Sequence, residues 1–264
     1  IMSNVITSGG LVVNNPQNER FNSYEAGAVY TTPGKELKLQ GNVYYTLWKN
    51  QAQTVNVTND DGTSGQVFLN GLNSRYYGAE FEAAWQPSRL FKLDGSASFG
   101  NWMYTSDVSG AYLKTPTGTP TPYTYYINGL KIGDAPQSQF SLAGTIYPVD
   151  RLSLQLVWKH YGNYFSSWDP FSRTALENGT RPQSWQIPDY SLFDLHVSYR
   201  LPLGTRKSEV KLFAHVFNLF NTVYVQDAVD NATYAKFDGN HSADDAGVYL
   251  GLPRTWNAGV EVTF

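Results

Sequence analysis

Cysteine is absent from the 264-residue sequence, which excludes disulfides, thiolate metal sites and a cysteine nucleophile. Charge is also scarce, because Asp, Glu, Lys and Arg make up 16% of the residues, against roughly 25% in ordinary soluble domains. The formal net charge is −3 and the 19 Lys and Arg residues form no basic block. Nucleic acid is therefore not an expected partner.

Long apolar runs are missing as well. No stretch approaches the roughly 20 apolar residues of a membrane-spanning helix, which excludes a helical membrane protein. The start of the chain, from Ile1 to Gly10, lacks the basic residues and the apolar run of a signal peptide. We therefore expect the sequence to begin within a loop.

Aromatic residues are abundant, at 15% of the chain, although the mean hydropathy is negative. Two kinds of protein combine these properties. One is a soluble protein with an aromatic core, and the other is a membrane β-barrel with an apolar outside, a polar lumen and aromatic girdles.

Alternation of apolar and polar side chains dominates the sequence and predicts strands with two different faces. The alternating segments are Ser23–Thr31, Leu37–Asn50, Arg75–Gln86, Leu90–Trp102, Ser138–Tyr147, Leu152–His160, Tyr190–Arg200, Glu209–Leu219 and Arg254–Phe264. The connections between them are alternately short and long. In the first long connection, Gln53–Thr58 and Gln66–Leu69 flank a turn and predict a projecting hairpin.

This rhythm favours one fold class. A soluble β-sandwich or propeller explains the alternation, but it seldom carries so many long loops. Outer-membrane barrels have short periplasmic turns and long external loops. We predict an all-β protein, a transmembrane antiparallel β-barrel without helices.

The number of predicted strands is odd, whereas bacterial single-chain barrels have even counts. An open sheet edge in lipid would leave backbone groups unsatisfied at several kcal/mol each. We therefore expect residues 1–264 to be the C-terminal part of a larger barrel, with the plug and the first strands elsewhere. If the C-terminus is periplasmic, the start of the chain lies in an external loop.

Four motifs carry a family resemblance. They are Asn22–Gly27, Arg75–Glu82, Asn218–Asn221 with Tyr224, and Pro253–Phe264. In this order they resemble the tyrosine–glutamate–x–glycine strand start, the glycine–x–glutamate–x–glutamate strand, the asparagine–leucine–phenylalanine box and the closing strand of TonB-dependent outer-membrane receptors. Asn221 stands where Asp is more usual. The resemblance implies a barrel of about 22 strands with an N-terminal plug, and residues 227–251 lean toward receptors of Bacteroidota.

The resemblance also implies a function. The whole receptor would take up a scarce nutrient actively in the outer membrane of a Gram-negative bacterium, most often a ferric siderophore or another iron complex. Alternative ligands are haem, cobalamin, a glycan or a peptide. Less favoured alternative functions are a barrel enzyme and a passive porin. Implied partners are the N-terminal remainder of the receptor, TonB through the plug, the barrel-assembly machinery, membrane lipid with lipopolysaccharide, and a surface lipoprotein. Neither a cofactor nor an enzymatic activity is expected.

Two sets of residues lie on the predicted polar face, hence toward the lumen. Glu25, Glu80 and Glu82 would meet basic residues of the plug, or would simply form a polar wall. His196 and His215 lie on adjacent predicted strands, near one another. Two histidines can begin a metal site, but no third ligand is visible and no metal site is predicted.

The remaining candidates lie in the long connections and in the last strand. Loop aromatics predicted to stack on a ligand, rather than to form the outer girdle, are Tyr123, Tyr125, Tyr126, Tyr164, Phe165, Trp168 and Trp185. An acidic loop contains Asp227, Asp230, Asp238, His241, Asp244 and Asp245; it is interpreted as solvated, with a calcium or ferric-ligand site as the alternative. Residues interpreted as the assembly signal, rather than as an ordinary amphipathic strand, are Trp256, Val260, Val262 and Phe264.

Overall fold

The computed structural model of the chain describes residues 18–59, 61–115, 118–202, 209–230, 244 and 246–263. In chain order the elements are β1 (Arg20–Thr31), β2 (Leu37–Thr58), β3 (Ser64–Ser88), β4 (Phe91–Tyr104), β5 (Val108–Leu113), β6 (Thr121–Tyr125), β7 (Ser138–Ile146), β8 (Leu152–Gly162), β9 (Tyr164–Phe165), a 3-10 helix (Pro170–Arg173), β10 (Gln186–Ile187), β11 (Tyr190–Arg200), β12 (Glu209–Phe217), β13 (Val225–Val229), β14 (Gly247–Leu250) and β15 (Thr255–Thr263). In these ranges no helix is long and apolar enough to cross a bilayer.

Nine strands form one continuous antiparallel path in the order β1-β2-β3-β4-β7-β8-β11-β12-β15. Every predicted alternating segment is one of these strands, so the all-β antiparallel prediction is confirmed. The described residues contain one short 3-10 helix and no α-helix. Within the described residues β1 and β15 are the two edges, and the sheet does not close on itself.

The two faces of the sheet differ in chemistry. The cross-strand register places the apolar residues of neighbouring strands on the same face, as in Val43 opposite Ala79 and Ala97 opposite Phe140. The apolar face is open: Tyr24 is 68% exposed, Val43 54% and Phe81 52%. A water-soluble sheet would cover such a surface, whereas a membrane barrel turns it toward lipid. We call this side the apolar face and the opposite side the polar face.

A bulge marks the point beyond which β2 and β3 project past their neighbours β1 and β4. The register shifts between Trp48 and Gln51, and Asn50 and Gly71 both adopt left-handed backbone conformations there. Such conformations suit glycine and asparagine, and a bulge of this kind bends and twists a strand pair. Beyond it the predicted hairpin is confirmed, with Gln53 opposite Leu69.

The long connections fold into a layer of their own at this end of the sheet. We define the loop layer as the β2–β3 hairpin beyond Asn50 together with β5, β6, β9, β10, the 3-10 helix, β13 and β14. β5 pairs with the extended part of β3, and β6 pairs with β5. The core of the layer contains Val57, Val67, Leu69, Leu72, Val108, Tyr125, Ile127, Leu130 and Trp168. The chain therefore has its conventional hydrophobic core here, on the extension of β2 and β3 beyond the bulge and in the connections that pack against it.

Candidate functional site

The loop layer contains a cleft of about 370 Å³. Its lining includes three aromatic rings, two carboxylates and two amides, from Tyr104, Trp168, Tyr249, Asp134, Asp169, Gln53 and Asn56. Tyr104 ends β4 and shares its polar face with Glu80 and Glu82 through the cross-strand register. The cleft therefore lies on the polar side of the sheet, at the end that carries the long connections.

Aromatic packing holds the wall of the cleft. The Trp168 ring packs edge-on against Tyr104, with centroids 6.2 Å apart, and lies 6.0 Å from the Tyr125 ring. The preceding Ser167 donates its hydroxyl hydrogen to Asp134 and its backbone N–H to the carbonyl of Ala228. Three separate connections thus meet at Trp168, so its position depends on the loop layer as a whole.

Asp169 begins the 3-10 helix and accepts a hydrogen bond from the backbone N–H of Ser172 at 3.2 Å. Burial raises the pKa of this carboxyl to about 7, although backbone hydrogen bonds from Ser172 and Phe171 oppose the change. The nearby charge of Asp230 raises the pKa further. Asp169 therefore titrates near neutral pH at the wall of the cleft.

The predicted ligand-stacking aromatics fall into two groups. Four of them, Tyr125, Tyr164, Phe165 and Trp168, are buried and pack within the loop layer. The roles predicted from the sequence were ligand contact and the outer girdle, and a packing role was not among them. Accessible surface remains on Tyr123, Tyr126 and Trp185. Of the seven residues only Trp168 is in the lining of the cleft, so ligand contact of Tyr123, Tyr126 and Trp185 stays a prediction that the cleft does not support.

Sequence reasoning missed Tyr104 and Tyr249 as cleft residues. For Tyr104 a signal exists in the sequence. Ser96, Ser98 and Tyr104 are an even number of residues apart on the fourth strand, so their side chains lie on the same polar face. The pattern therefore predicts an aromatic ring on the polar face near the loop end. Tyr249 belongs to β14, a strand too short to give a periodic signal.

The solvated interpretation of the acidic loop is wrong for Asp230. Its side chain is fully buried and forms an ion pair with Arg173, with Oδ2 3.2 Å from Nη2. Burial lowers the pKa of Arg173, and the charge of Asp230 opposes this. Asp227 accepts a hydrogen bond from the N–H of Ala228, and Asp244 is exposed. Residues of this loop that lie outside the described ranges are Asp238, His241 and Asp245.

The three predicted lumen glutamates do share the polar face. Glu25, Glu80 and Glu82 are exposed, and Asn42 donates a hydrogen bond of 2.5 Å to Glu25. Asn42 is also the register partner of Glu80. Contact of these carboxylates with a plug stays a prediction.

The three histidines of the described strands lie on different faces of the sheet. His196 and His215 are direct register partners on the polar face, with their Nδ1 atoms 2.8 Å apart, so their predicted proximity is confirmed. His160 lies on the apolar face, where its Nδ1 is 3.0 Å from the Ser191 hydroxyl. In the part of the chain that the structure describes, no three His, Asp or Glu side chains cluster as for a metal ion.

The closing strand β15 has the predicted alternation. Trp256, Val260 and Val262 lie together on the apolar face and are exposed. Phe264 lies outside the described residues. Recognition of this strand by an assembly machinery stays a prediction.

Comparison with known proteins identifies relatives. The family model described as "TonB dependent receptor-like, beta-barrel" matches residues 3–219. Among solved structures, the ferric-catecholate import receptor Fiu from K12 E. coli has 18% identity and a TM-score of 0.53, covering 94% of this chain and 28% of that chain. The copper transporter OprC has 19% identity and a TM-score of 0.56, with coverages of 93% and 31%.

The ferripyoverdine receptor of the outer membrane of Pseudomonas aeruginosa has 16% identity and a TM-score of 0.55, with coverages of 98% and 28%. The chain thus spans less than a third of the length of these solved receptors. No curated protein matches the chain.

Proposed function

This chain belongs to the TonB-dependent receptor β-barrel family, and from that premise we propose that it forms part of a receptor for active uptake across the outer membrane. The proposed cargo is a scarce nutrient, in the first instance a ferric siderophore or another iron complex. Support for iron comes from the names of similar structures, which include receptors for ferric catecholate and ferripyoverdine. The proposal includes a periplasmic C-terminus and an external loop layer.

The observation that carries the proposal is the cleft in the loop layer on the polar side of the sheet. A nutrient that reaches the cell from outside would meet this layer first. Tyr249 offers an exposed aromatic ring, Tyr104 and Trp168 contribute to the wall, and Gln53 and Asn56 offer amide hydrogen bonds. Concave sites of this composition hold small ligands, because the apolar faces supply affinity and the polar groups fix orientation.

The charge of the cleft favours a second candidate ligand. Its lining within the described residues includes Asp134 and Asp169 but neither Lys nor Arg. An anionic ferric complex gains little from such a lining, since carboxylates repel it. A neutral polyhydroxylated ligand, such as a glycan, fits better because carboxylates and amides accept its hydroxyl hydrogens and aromatic rings cover its apolar faces. A glycan is therefore the second proposed cargo, before haem, cobalamin or a peptide.

The proposed partners follow from the family. An N-terminal plug would fill the space beside the polar face, TonB would act through that plug, and lipid with lipopolysaccharide would cover the apolar face. The barrel-assembly machinery would recognise β15, and a surface lipoprotein is a further candidate. We propose no enzymatic role. His160 and Ser191 touch, but no carboxylate among the described residues hydrogen-bonds to His160, as a hydrolase triad would require.

Uptake by the source bacterium tests the proposal. A strain that lacks the full receptor gene should lose accumulation of radiolabelled ferric siderophore or of labelled oligosaccharide, whichever is the cargo. Deletion of TonB should abolish the same uptake. Uptake that persists without TonB, together with large ion conductance of the intact purified barrel, would instead identify a passive porin.

Substitution at the cleft tests its part in binding. Tyr249→Ala should weaken ligand binding by about two- to tenfold, because stacking on one ring contributes roughly 0.5–1.5 kcal/mol. Tyr24→Ala removes an equally exposed ring from the apolar face and is the matched control. Equal affinities of the two variants for the transported ligand would remove the cleft from the binding site.

A further inference from the structure

The two imidazole rings of His196 and His215 lie in close contact on the polar face. Their Nδ1 atoms lie 2.8 Å apart, and their ring centroids 4.8 Å. A hydrogen bond at this distance requires one Nδ1 to donate and the other to accept, because both cannot carry a proton in the same gap. The two Nδ1 atoms thus share a single proton in the gap between them.

This separation also suits a shared metal ion. With metal–nitrogen bonds of about 2.0–2.1 Å, two ligands at a right angle lie about 2.9 Å apart, and two at the tetrahedral angle about 3.3 Å. The observed distance is closer to the right-angle value. Direct register pairing of the two residues fixes their backbones, so only rotation of the rings is needed to turn both lone pairs toward one ion.

The surroundings supply further ligands and a firm frame. Gln155 is the register partner of His196, and Asn257 is the register partner of His215, so an amide lies on each side of the pair. Gln155 donates its amide N–H to the Thr145 hydroxyl at 2.9 Å. This hydrogen bond uses the amide nitrogen and not Oε1, the atom that would coordinate a metal ion.

Neighbouring rings and charges restrict the site. The Phe213 and Phe217 rings contact the pair from both sides along β12, at centroid distances of 5.2 and 5.7 Å. Asp194, the nearest carboxylate on β11, already accepts hydrogen bonds from Lys159 and from the backbone N–H of Asn218. That ion pair adds no net charge beside the histidines, so the imidazoles themselves determine which cation binds.

We propose that His196 and His215 chelate one Cu²⁺ ion through their Nδ1 atoms on the polar face of the sheet. Imidazole suits Cu²⁺, Ni²⁺ and Zn²⁺, and a right-angle pair of nitrogen ligands matches the tetragonal geometry of Cu²⁺ better than the tetrahedral geometry of Zn²⁺. The amide oxygens of Gln155 and Asn257, or water, complete the coordination. Each imidazole then carries its proton on Nε2. This site does not depend on the cargo proposed for the cleft.

Copper titration of the full receptor tests this site. The receptor is purified in detergent with a tag that contains no histidine and is titrated with copper(II) glycinate. Its electron paramagnetic resonance spectrum should show coupling to two imidazole nitrogens. His196→Gln and His215→Gln should each weaken copper binding by more than about tenfold, since even outer partners of metal ligands change affinity by that factor.

His160→Gln is the matched control, because His160 lies on the opposite face and its substitution should leave copper affinity and spectrum unchanged. Resistance of each variant to unfolding in dodecyl sulfate without heating reports that its barrel is intact. Affinities of both polar-face variants within twofold of the wild type would overturn the proposal. So would a wild-type spectrum without coupling to two nitrogens, and that outcome does not depend on any variant.

Discussion

The nine-stranded sheet and the loop layer place similar side chains in opposite environments. Tyr24 and Phe81 of the sheet are mostly exposed, whereas Tyr125 and Ile127 of the loop layer are at most 1% exposed. The sheet is built for a surrounding apolar solvent, so its apolar residues lie outside. The loop layer is built for water, so its apolar residues lie inside. The same chain therefore follows two rules of burial, and the bulge at Asn50 lies at the border between them.

Charged groups of the two regions differ in exposure in the same direction. Glu25, Glu80 and Glu82 are exposed on the polar face of the sheet, while the loop layer encloses the Arg173–Asp230 ion pair. Removal of one partner from a buried pair typically costs about 3–5 kcal/mol, because the other charge is left uncompensated. Such pairs fix the relative positions of loops, and this one joins the 3-10 helix to the end of β13.

The largest expected effect comes from the core of the loop layer. Tyr125→Ala should destabilise the layer by about 3–5 kcal/mol, because it removes a large ring and leaves a cavity. The sheet should remain folded, since its stability depends on strand pairing and lipid. Limited proteolysis of the loops, with heat-modifiable migration of the barrel on gels, measures the two regions separately.

Tyr24→Ala is the control for this substitution, because it removes the same ring from the apolar face. It should leave the proteolysis of the loops unchanged. If Tyr125→Ala instead unfolds the sheet together with the loop layer, the two regions form one cooperative unit and the comparison fails.

The pH dependence of the loop layer should be nearly as large. The pKa of Asp169 in the folded protein is about 7, above its unfolded value, so the folded state holds a proton that the unfolded state releases. The contribution of Asp169 to stability is therefore fully present below about pH 4 and falls by up to about 1.4 kcal/mol per pH unit until about pH 7. Hydrogen-exchange protection of the Ser172 and Tyr126 amides, corrected for intrinsic rates, measures it.

Asp169→Asn should remove this slope, because asparagine keeps the helix-capping oxygen without titrating. Asp61→Asn should leave the slope unchanged, since hydrogen bonds from Thr63 hold the pKa of Asp61 well below its usual range and it stays charged throughout. A slope that persists in Asp169→Asn would assign the titration to another group.

The sheet could be predicted from the sequence, but most of the loop layer could not. Alternation over long strands revealed every strand of the continuous path and the proximity of His196 to His215, although their direct register pairing came from the structure. The loop layer depends on contacts between distant connections, such as Trp168 against Tyr104 and Tyr125. Short strands leave no periodic signal, and an aromatic residue has the same sequence appearance in a core, a girdle or a ligand site. The burial of Asp230 could not be predicted either, because it depends on an ion pair with Arg173 from a distant connection.

Charge placement on the sheet should distinguish its two faces by a smaller amount. Val43→Arg introduces a charge at an exposed position of the apolar face and should destabilise the barrel in lipid by about 2–4 kcal/mol. Gln40→Arg places the same charge on the polar face, opposite Glu82, and should be nearly neutral. Reversible unfolding in phospholipid vesicles gives both values. Equal costs would contradict the assignment of the two faces.

The smallest expected effect concerns the polar face itself, where Glu80→Gln should change barrel stability by less than about 0.5 kcal/mol because the side chain is exposed. The proposed contact with a plug predicts a different result in the whole receptor. Loss of this carboxylate would weaken the hold on basic plug residues, so urea should open the plug at a lower concentration, measured as ion conductance in planar bilayers. An unchanged midpoint in Glu80→Gln and in Glu82→Gln would identify these carboxylates as a solvated wall that makes no contact with the plug.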